Sequence, residues 1–502
     1  MKKTIRSIFL FFALLTVVLS GCSPASTPVP SPFTPSPIPP TFTAISSATP
    51  TTAPTVTPTP APENLADAKD LHVWIDDYVN AYGGTVSVNG VEEDANQLLG
   101  VVKANPGGFI ERKTIKGHET LFFVVNDVPL GIQNDGTWRS ILARDIADAK
   151  NAQFAMPVLS FQLNNPDFVN VIKNANMLTI TADLDNATVF KTLTTADWKN
   201  ILHDWDTIKA QLDSGQIPNG IPYNWTGADQ IVKFAQENHM GLRAQHLIWN
   251  GDVPDSIRKG GFTKADLLKI LEFTVSVKAM KYKGVISEWD AEDELVDTAH
   301  STDQWGFWSQ NVGILDATRL SAGIIRKIDP QAKITLTDDL ILEKRYYSMQ
   351  PGLGIEFLNF VKTLKQDGLV DKVDIENNMW VYDMPDQGYM ENFLRQIQAE
   401  GVELAAPEIT VCPTKDDPIA GGRQAYTKVD DPQKDLTEGY RRVAQAYIDV
   451  GANDIGLGDV GDVTSWYNYL SPGTNAALFD TQWKPKMGWY EILKVMYDGF
   501  ID

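Results

Sequence analysis

Two glutamates, Glu294 and Glu408, stand where side-chain carboxylates could do acid–base work. Glu294 comes four residues after the Trp289-Asp290 pair that closes an apolar, strand-like run, and Glu408 ends the run ELAAPE at 403–408. Carboxyls carried by separate strands can flank a glycosidic linkage, one protonating the departing oxygen while the other faces the anomeric carbon from the far side. The plainer alternative is a pair of solvated surface glutamates, because charged side chains are mostly exposed. Composition leaves both open.

Other chemistries find less support. The stretch 456–461 fits the pattern GxGxxG, but it lies near the C-terminal end and leads into Thr464-Ser465-Trp466 instead of the βαβ unit that binds dinucleotides. The sequence holds no Gly-Lys dipeptide for a phosphate-cradling loop, and neither HExxH nor paired-cysteine spacing, so we expect no metal and no cofactor. Of two cysteines, Cys412 lies between Val411 and Pro413 with no evident base beside it, which reads as a buried structural thiol. A formal net charge of −21 argues against a nucleic-acid partner, whose phosphates require clustered Lys and Arg.

These residues need a scaffold, and the hydrophobic pattern supplies one. Strand-like runs at 154–159, 177–182, 241–248, 285–289, 334–337, 373–377, 403–408 and 454–457 alternate with amphipathic helical patterns, clearest at 265–281, 317–327, 355–366, 390–400, 436–450 and 486–497. Eight strands alternating with helices predict an α/β fold, a (β/α)8 TIM barrel over residues 141–502. In such a barrel the chemistry sits at the C-terminal ends of the strands.

Ahead of the barrel the chain changes character three times. Residues 1–22 carry Lys2, Lys3 and Arg6, an apolar run too short to span a membrane, and the sequence Leu-Ser-Gly before Cys22, which is the layout of a secretory signal with a lipidated cysteine. Residues 23–62 are rich in Pro, Thr and Ser and predict a disordered tether reaching on the order of 100 Å. Residues 63–140 show short alternating segments and Gly-rich turns, predicting a small β-rich module. The expectation is a monomer displayed outside the cytoplasm, held to the membrane through its lipid anchor alone.

The segment ISEWDAEDE at 286–294 resembles the WDVVNE pattern of the xylanase-type glycoside hydrolases of family 10, and VELAAPEIT at 402–410 is similar to that family's segment around ITELD. The resemblance extends along the barrel. Residues 144–149 with 176–179 resemble the family's first two strands, 224–229 the segment before its third, and Leu247-Ile248-Trp249 with Pro254 its LVWHSQLP run. Leu478-Phe479-Asp480, Lys484-Pro485-Lys486 and Trp489-Tyr490 match its closing pattern. The resemblance implies a retaining endo-β-1,4-glycanase, most like an endo-1,4-β-xylanase, with Glu294 as acid/base and Glu408 as nucleophile acting on a polysaccharide or oligosaccharide. Retention would place the two carboxyls about 5–5.5 Å apart.

Departures concentrate where the family holds its sugar. Thr181, Ala182 and Asp185 replace a Glu-Asn pair and a nearby Lys, and Gln245 and Asn250 fall at histidine positions. Asp293 replaces the Asn beside the acid/base, Glu376 the Gln that orients the nucleophile, Asn378 a histidine, and Gly458 a sugar-stacking Trp. Trp249 and Trp466 remain as candidate sugar platforms, whereas Trp305, Trp308 and Trp489 read as packing residues. These exchanges leave a rival reading, a glycan-binding lipoprotein with a degenerate barrel that no longer hydrolyses.

Overall fold

The computed structural model describes residues 142–501, apart from 297–298, 300–305, 340–341, 343–351, 382–383, 414–431 and 471–473, together with six strands between Thr85 and Ser140. Cys22, the 23–62 tether and Trp305 lie outside the described residues.

The six early strands are β1 (Thr85–Val88), β2 (Val91–Asp94), β3 (Phe109–Ile115), β4 (His118–Val125), β5 (Val128–Asn134) and β6 (Trp138–Ser140), joined in one sheet of order β2-β1-β6-β5-β4-β3. Their pairings are antiparallel except for the parallel contact between β1 and β6. These strands fall within the stretch 63–140, where the sequence predicts a small β-rich module.

The barrel is closed. Its strands are β7 (Gln153–Val158), β8 (Met177–Ile180), β9 (Gly241–Ala244), β10 (Glu288–Asp290), β11 (Lys333–Asp338), β12 (Lys372–Trp380), β13 (Glu403–Cys412) and β14 (Asp454–Leu457). All run parallel, and β14 pairs back onto β7. Parallel strands covered by helices are buried on both faces and read as continuous apolar runs, which is why the sequence pattern located every one of them. Residues 144–149 are a correction: they lie in the helix Ala143–Ala149, ahead of the first strand instead of within it.

Local chemistry fixes the outer helices. Lys264–Lys281 opens with a reciprocal cap, the Asp266 amide donating to Thr263 Oγ1 at 3.2 Å and the Thr263 amide to Asp266 Oδ2 at 3.0 Å, and Lys278 and Lys281 lie in its last turn. Trp489 is fully buried in the helix Met487–Ile501, edge-on to Phe154 of β7 at 5.7 Å and tilted on Phe479 at 5.0 Å. Both Trp489 and Trp308 are packing residues, as their sequence context suggested.

The N-terminal end of the barrel is plugged by charge. Glu288, Lys372, Asp454 and Gln153 are each the first residue of their strands, and they meet Arg243 of β9 and Asp374 of β12. Arg243 Nε donates to Glu288 Oε2 at 3.0 Å, Lys372 Nζ contacts Glu288 Oε1 at 2.9 Å and Asp454 Oδ2 at 2.6 Å, and Arg243 also bonds Asp454. Burial alone would raise the Glu288 pKa, but Arg243 and Lys372 outweigh it and hold the carboxyl far below its usual range. This plug belongs to stability, because barrel chemistry takes place at the other end.

Candidate active site

At the C-terminal end, strands β12 and β13 place two carboxylates side by side. Glu376 and Glu408 are Cα register partners, and in each strand the glutamate is the one interior position that is not fully buried. The register shifts between Asp374 and Glu376 on the β12–β13 ladder, and between Ala406 and Ile409 on the β13–β14 ladder. Such irregularities re-aim side chains next to functional sites. Glu408 was expected to end its strand; instead β13 runs on to Cys412, so a hydrogen-bonded ladder holds the carboxylate from both sides.

Glu294 arrives differently. β10 ends at Asp290, and the chain then threads between β9 and β11, with the Ala291 amide donating to Thr335 O at 3.0 Å and the Asp293 amide to Ile248 O at 3.0 Å. The Val296 amide donates to Asp338 Oδ2 at 2.9 Å. Between these anchors Glu294 adopts φ 54°, a left-handed conformation uncommon for a side-chain-bearing residue and concentrated at functional sites. The strained turn leaves its carboxyl half-buried, as Glu376 and Glu408 are.

Electrostatic coupling joins the three. Burial pushes the Glu376 carboxyl well above its usual range, and the charges of Glu408, Asp293, Asp339 and Glu294 push it further. Glu408 is raised to about 7, by burial first and then by Asp293, while Gln245 and His246 pull it back. Glu376 therefore feels the charges of both predicted catalytic residues.

The remaining predicted residues divide into two groups. Gln245 Nε2 donates to Glu376 Oε1 at 3.2 Å and Asn378 Nδ2 to Glu376 Oε2 at 3.1 Å, so both amides hold the central carboxyl. Asp293 lies beside them, with Oδ2 3.0 Å from His246 Nδ1. Trp249 is half-buried with its ring 4.9 Å from that of His246, and Trp466 is half-buried against Tyr467. Asn250 is fully buried, and its Oδ1 accepts from the Trp308 amide at 2.7 Å. That carbonyl helps to fix the helix Phe307–Asn311.

Sequence reasoning missed His246. The substitutions suggested an exchange of imidazole for acids and amides, yet the neighbour of Gln245 restores an imidazole one position along. Burial alone would lower the His246 pKa, but Asp293, Asp185 and Asp290 raise it to about 10. Its position directly after Gln245 at a strand end was the available signal. Asp459 was missed as well: it accepts from Ser465 Oγ at 2.6 Å and from the Trp466 amide at 3.4 Å, fixing the turn that carries Trp466.

The glycine pattern has a packing explanation. A Cβ at Gly456 would lie 2.5 Å from Pro407 O, one at Gly458 2.5 Å from Thr410 Oγ1 and 3.3 Å from Glu408 Cβ, and one at Gly461 2.4 Å from the Trp483 ring. These glycines let β14 and its following turn close against their neighbours. Cys412 is fully buried among Trp380, Tyr467 and Ala476, in keeping with a structural thiol.

A (β/α)8 barrel with clustered carboxylates at the ends of its fourth, sixth and seventh strands defines the class. The profile of glycosyl hydrolase family 10 matches residues 165–495, and the chain belongs to that family. It is 28% identical over 236 residues to endo-1,4-beta-xylanase A of Phanerodontia chrysosporium, covering 46% of this chain and 52% of that protein. With endo-1,4-beta-xylanase B of Thermotoga neapolitana it shares 24% over 296 residues, covering 58% and 78% respectively. The chain spans about half the length of the first relatives it matches, 52% and 53%. Among solved structures, native xylanase 10B from Thermotoga maritima superposes with a TM-score of 0.57 at 21% identity, over 72% of this chain and 99% of that one. Xylanase 10B from Thermotoga petrophila RKU-1, in complex with xylobiose, gives the same TM-score and identity over 72% and 98%.

Proposed function

We propose that this chain hydrolyses β-1,4-linked polysaccharide internally, as an endo-1,4-β-xylanase-like enzyme working with retention. The observation that carries the reading is the single electrostatic cluster formed by Glu294, Glu376 and Glu408, in a chain whose family is that of the xylanases it resembles. Glu408, deprotonated, attacks the anomeric carbon from one side of the sugar. Glu294 gives a proton to the departing oxygen, then takes one from the water that releases the covalent intermediate. Gln245 and Asn378 hold Glu376 beside the nucleophile, and Trp249 and Trp466 offer indole faces to the sugar rings.

The same reading places the enzyme outside the cytoplasm. Lipidation at Cys22 and the Pro/Thr/Ser-rich tether would hold the barrel within reach of a polymer too large to enter the cell. The mature protein would work as a monomer.

The test is reducing-sugar release from neutral xylan and a panel of β-glycans by the wild type, Glu408→Gln and Glu294→Gln, with the anomer of the first product followed by NMR. Loss of release in both variants with a β-anomeric first product supports the proposal. Equal release by wild type and Glu408→Gln on every glycan would sink it, and binding without hydrolysis would favour the glycan-binding alternative.

A further inference from the structure

Three side chains that the hydrolytic mechanism does not require converge beneath the Glu294 turn. His246, Asp290 and Asp293 each bring one ligand-type atom to within 4.8 Å of the others. Asp290 is fully buried and Asp293 is 2% exposed. Among the described residues neither oxygen of Asp290 has a hydrogen bond of ordinary geometry, nor does Oδ1 of Asp293, although the Thr337 hydroxyl is close enough to favour the charged form of Asp290. A buried carboxylate with no donor costs several kcal/mol unless something positive meets it. Among the described residues, His246 sets one positive charge against these two buried carboxylates, while Lys278 points its Nζ at Leu184 O, 3.1 Å away, and Arg243 is committed to the plug at the other end.

The orientation of His246 adds an independent observation. Its Nδ1 lies 3.0 Å from Asp293 Oδ2, a separation that suits an ion pair and equally two neighbouring ligands of one ion. Neighbouring ligands of one metal ion, each about 2.1 Å from it, stand about 3 Å apart with their lone pairs directed at a shared point and not at one another. On the other side of the ring, Nε2 faces Asp185 Oδ1 at 3.9 Å. At that distance Asp185 adds negative charge behind the ring without a hydrogen bond to its distal nitrogen.

We propose that His246, Asp290 and Asp293 bind a divalent cation of the borderline class, Zn²⁺ or Mn²⁺. One imidazole nitrogen with two carboxylates suits those ions, whereas Ca²⁺ and Mg²⁺ prefer all-oxygen shells. The ion would neutralise the negative charge collected below Glu294 and tie β9 and its following turn to the end of β10. The assignment does not depend on hydrolysis, so a chain that cleaves no glycan leaves it standing.

Isothermal titration of the EDTA-treated full chain with ZnCl2 and MnCl2, with CaCl2 as the contrast, tests it. The expected result is one ion per chain for Zn²⁺ or Mn²⁺, bound at least tenfold more tightly than Ca²⁺, with binding weakened at least tenfold in both His246→Ala and Asp290→Asn. Glu408→Gln, which leaves all three ligands in place, should bind as the wild type does. Should Asp290→Asn fail to fold, as checked by circular dichroism, the half-buried His246→Ala decides the matter alone. No uptake by the wild type, or uptake undiminished in the folded variants, overturns the proposal.

Discussion

Glu376 and Glu408 face one another as register partners on adjacent parallel strands, each interrupting an otherwise buried run. Two carboxyls so placed cannot both carry charge cheaply, and Glu376 is pushed well above its usual range by burial and then by Glu408. Held protonated through the range in which Glu408 titrates, Glu376 adds no negative charge there for the isosteric amide to remove. Glu376→Gln should therefore leave the acid limb of kcat/KM within about half a unit of the wild type. A pH–rate profile on soluble xylo-oligosaccharide checks this; an acid limb moved a full unit to lower pH means that Glu376 carries charge beside the nucleophile.

The acid limb of the wild type should itself fall near neutrality. Glu408 is held at about 7 by burial and by Asp293, and only its deprotonated form is nucleophilic. Below that value kcat/KM should drop about tenfold for each pH unit. An enzyme at full rate at pH 5 would contradict the raised nucleophile.

Stability should run the opposite way. Burial raises Asp374, Glu408 and Asp459 to about 7 and Asp252 to about 8, so the folded chain keeps protons there that the unfolded chain gives up at ordinary carboxylate values. Stability contributed by a raised group is complete below its unfolded pKa and is lost as pH climbs through the folded one. Glu288 has the opposite sign, but its window lies below the usual carboxylate range. Thermal melts should give a higher Tm at pH 5 than at pH 8.5, and the reverse order would contradict these assignments.

Removing one partner from the charged plug should cost far more than its surface counterparts. Lys372 is 1% exposed and contacts both Glu288 and Asp454, so Lys372→Met leaves uncompensated buried charge and should destabilise by roughly 3–5 kcal/mol. Lys259→Met breaks an exposed pair with Asp255 and should cost about 0–1 kcal/mol. Urea midpoints of the two variants give the comparison directly.

Gly458 offers a test within the cleft. An added methyl would press on Thr410 and approach Glu408 Cβ, so Gly458→Ala should lower kcat more than it raises KM and cost roughly 1–3 kcal/mol of stability. Steady-state kinetics with a urea titration separates the two effects.

The sequence made the barrel legible because each parallel strand is buried on both faces and announces itself as an apolar run. Glu294 and Glu408 were singled out through the residues around them. His246 was not, because position-by-position matching registers the loss of an imidazole at 245 and is blind to one supplied by the next residue. Asp290 and Asp293 lie more than forty positions from His246, so no short spacing motif could join them; only closure of β9 beside β10 does. The bond of Asn250 to the Trp308 amide was not legible either, because backbone demand leaves no mark in side-chain patterns.

The charged plug has a consequence for how the molecule is made. Gln153 and Arg243 emerge early in synthesis, Glu288 and Lys372 midway, and Asp454 near the end, yet each needs the others to be tolerable away from water. Until the last strand docks between its neighbours, the ring stays wet and the seam stays open. Assembly then favours all-or-none closure, and a chain cut short before residue 454 would emerge without the acid that joins Arg243 to Lys372.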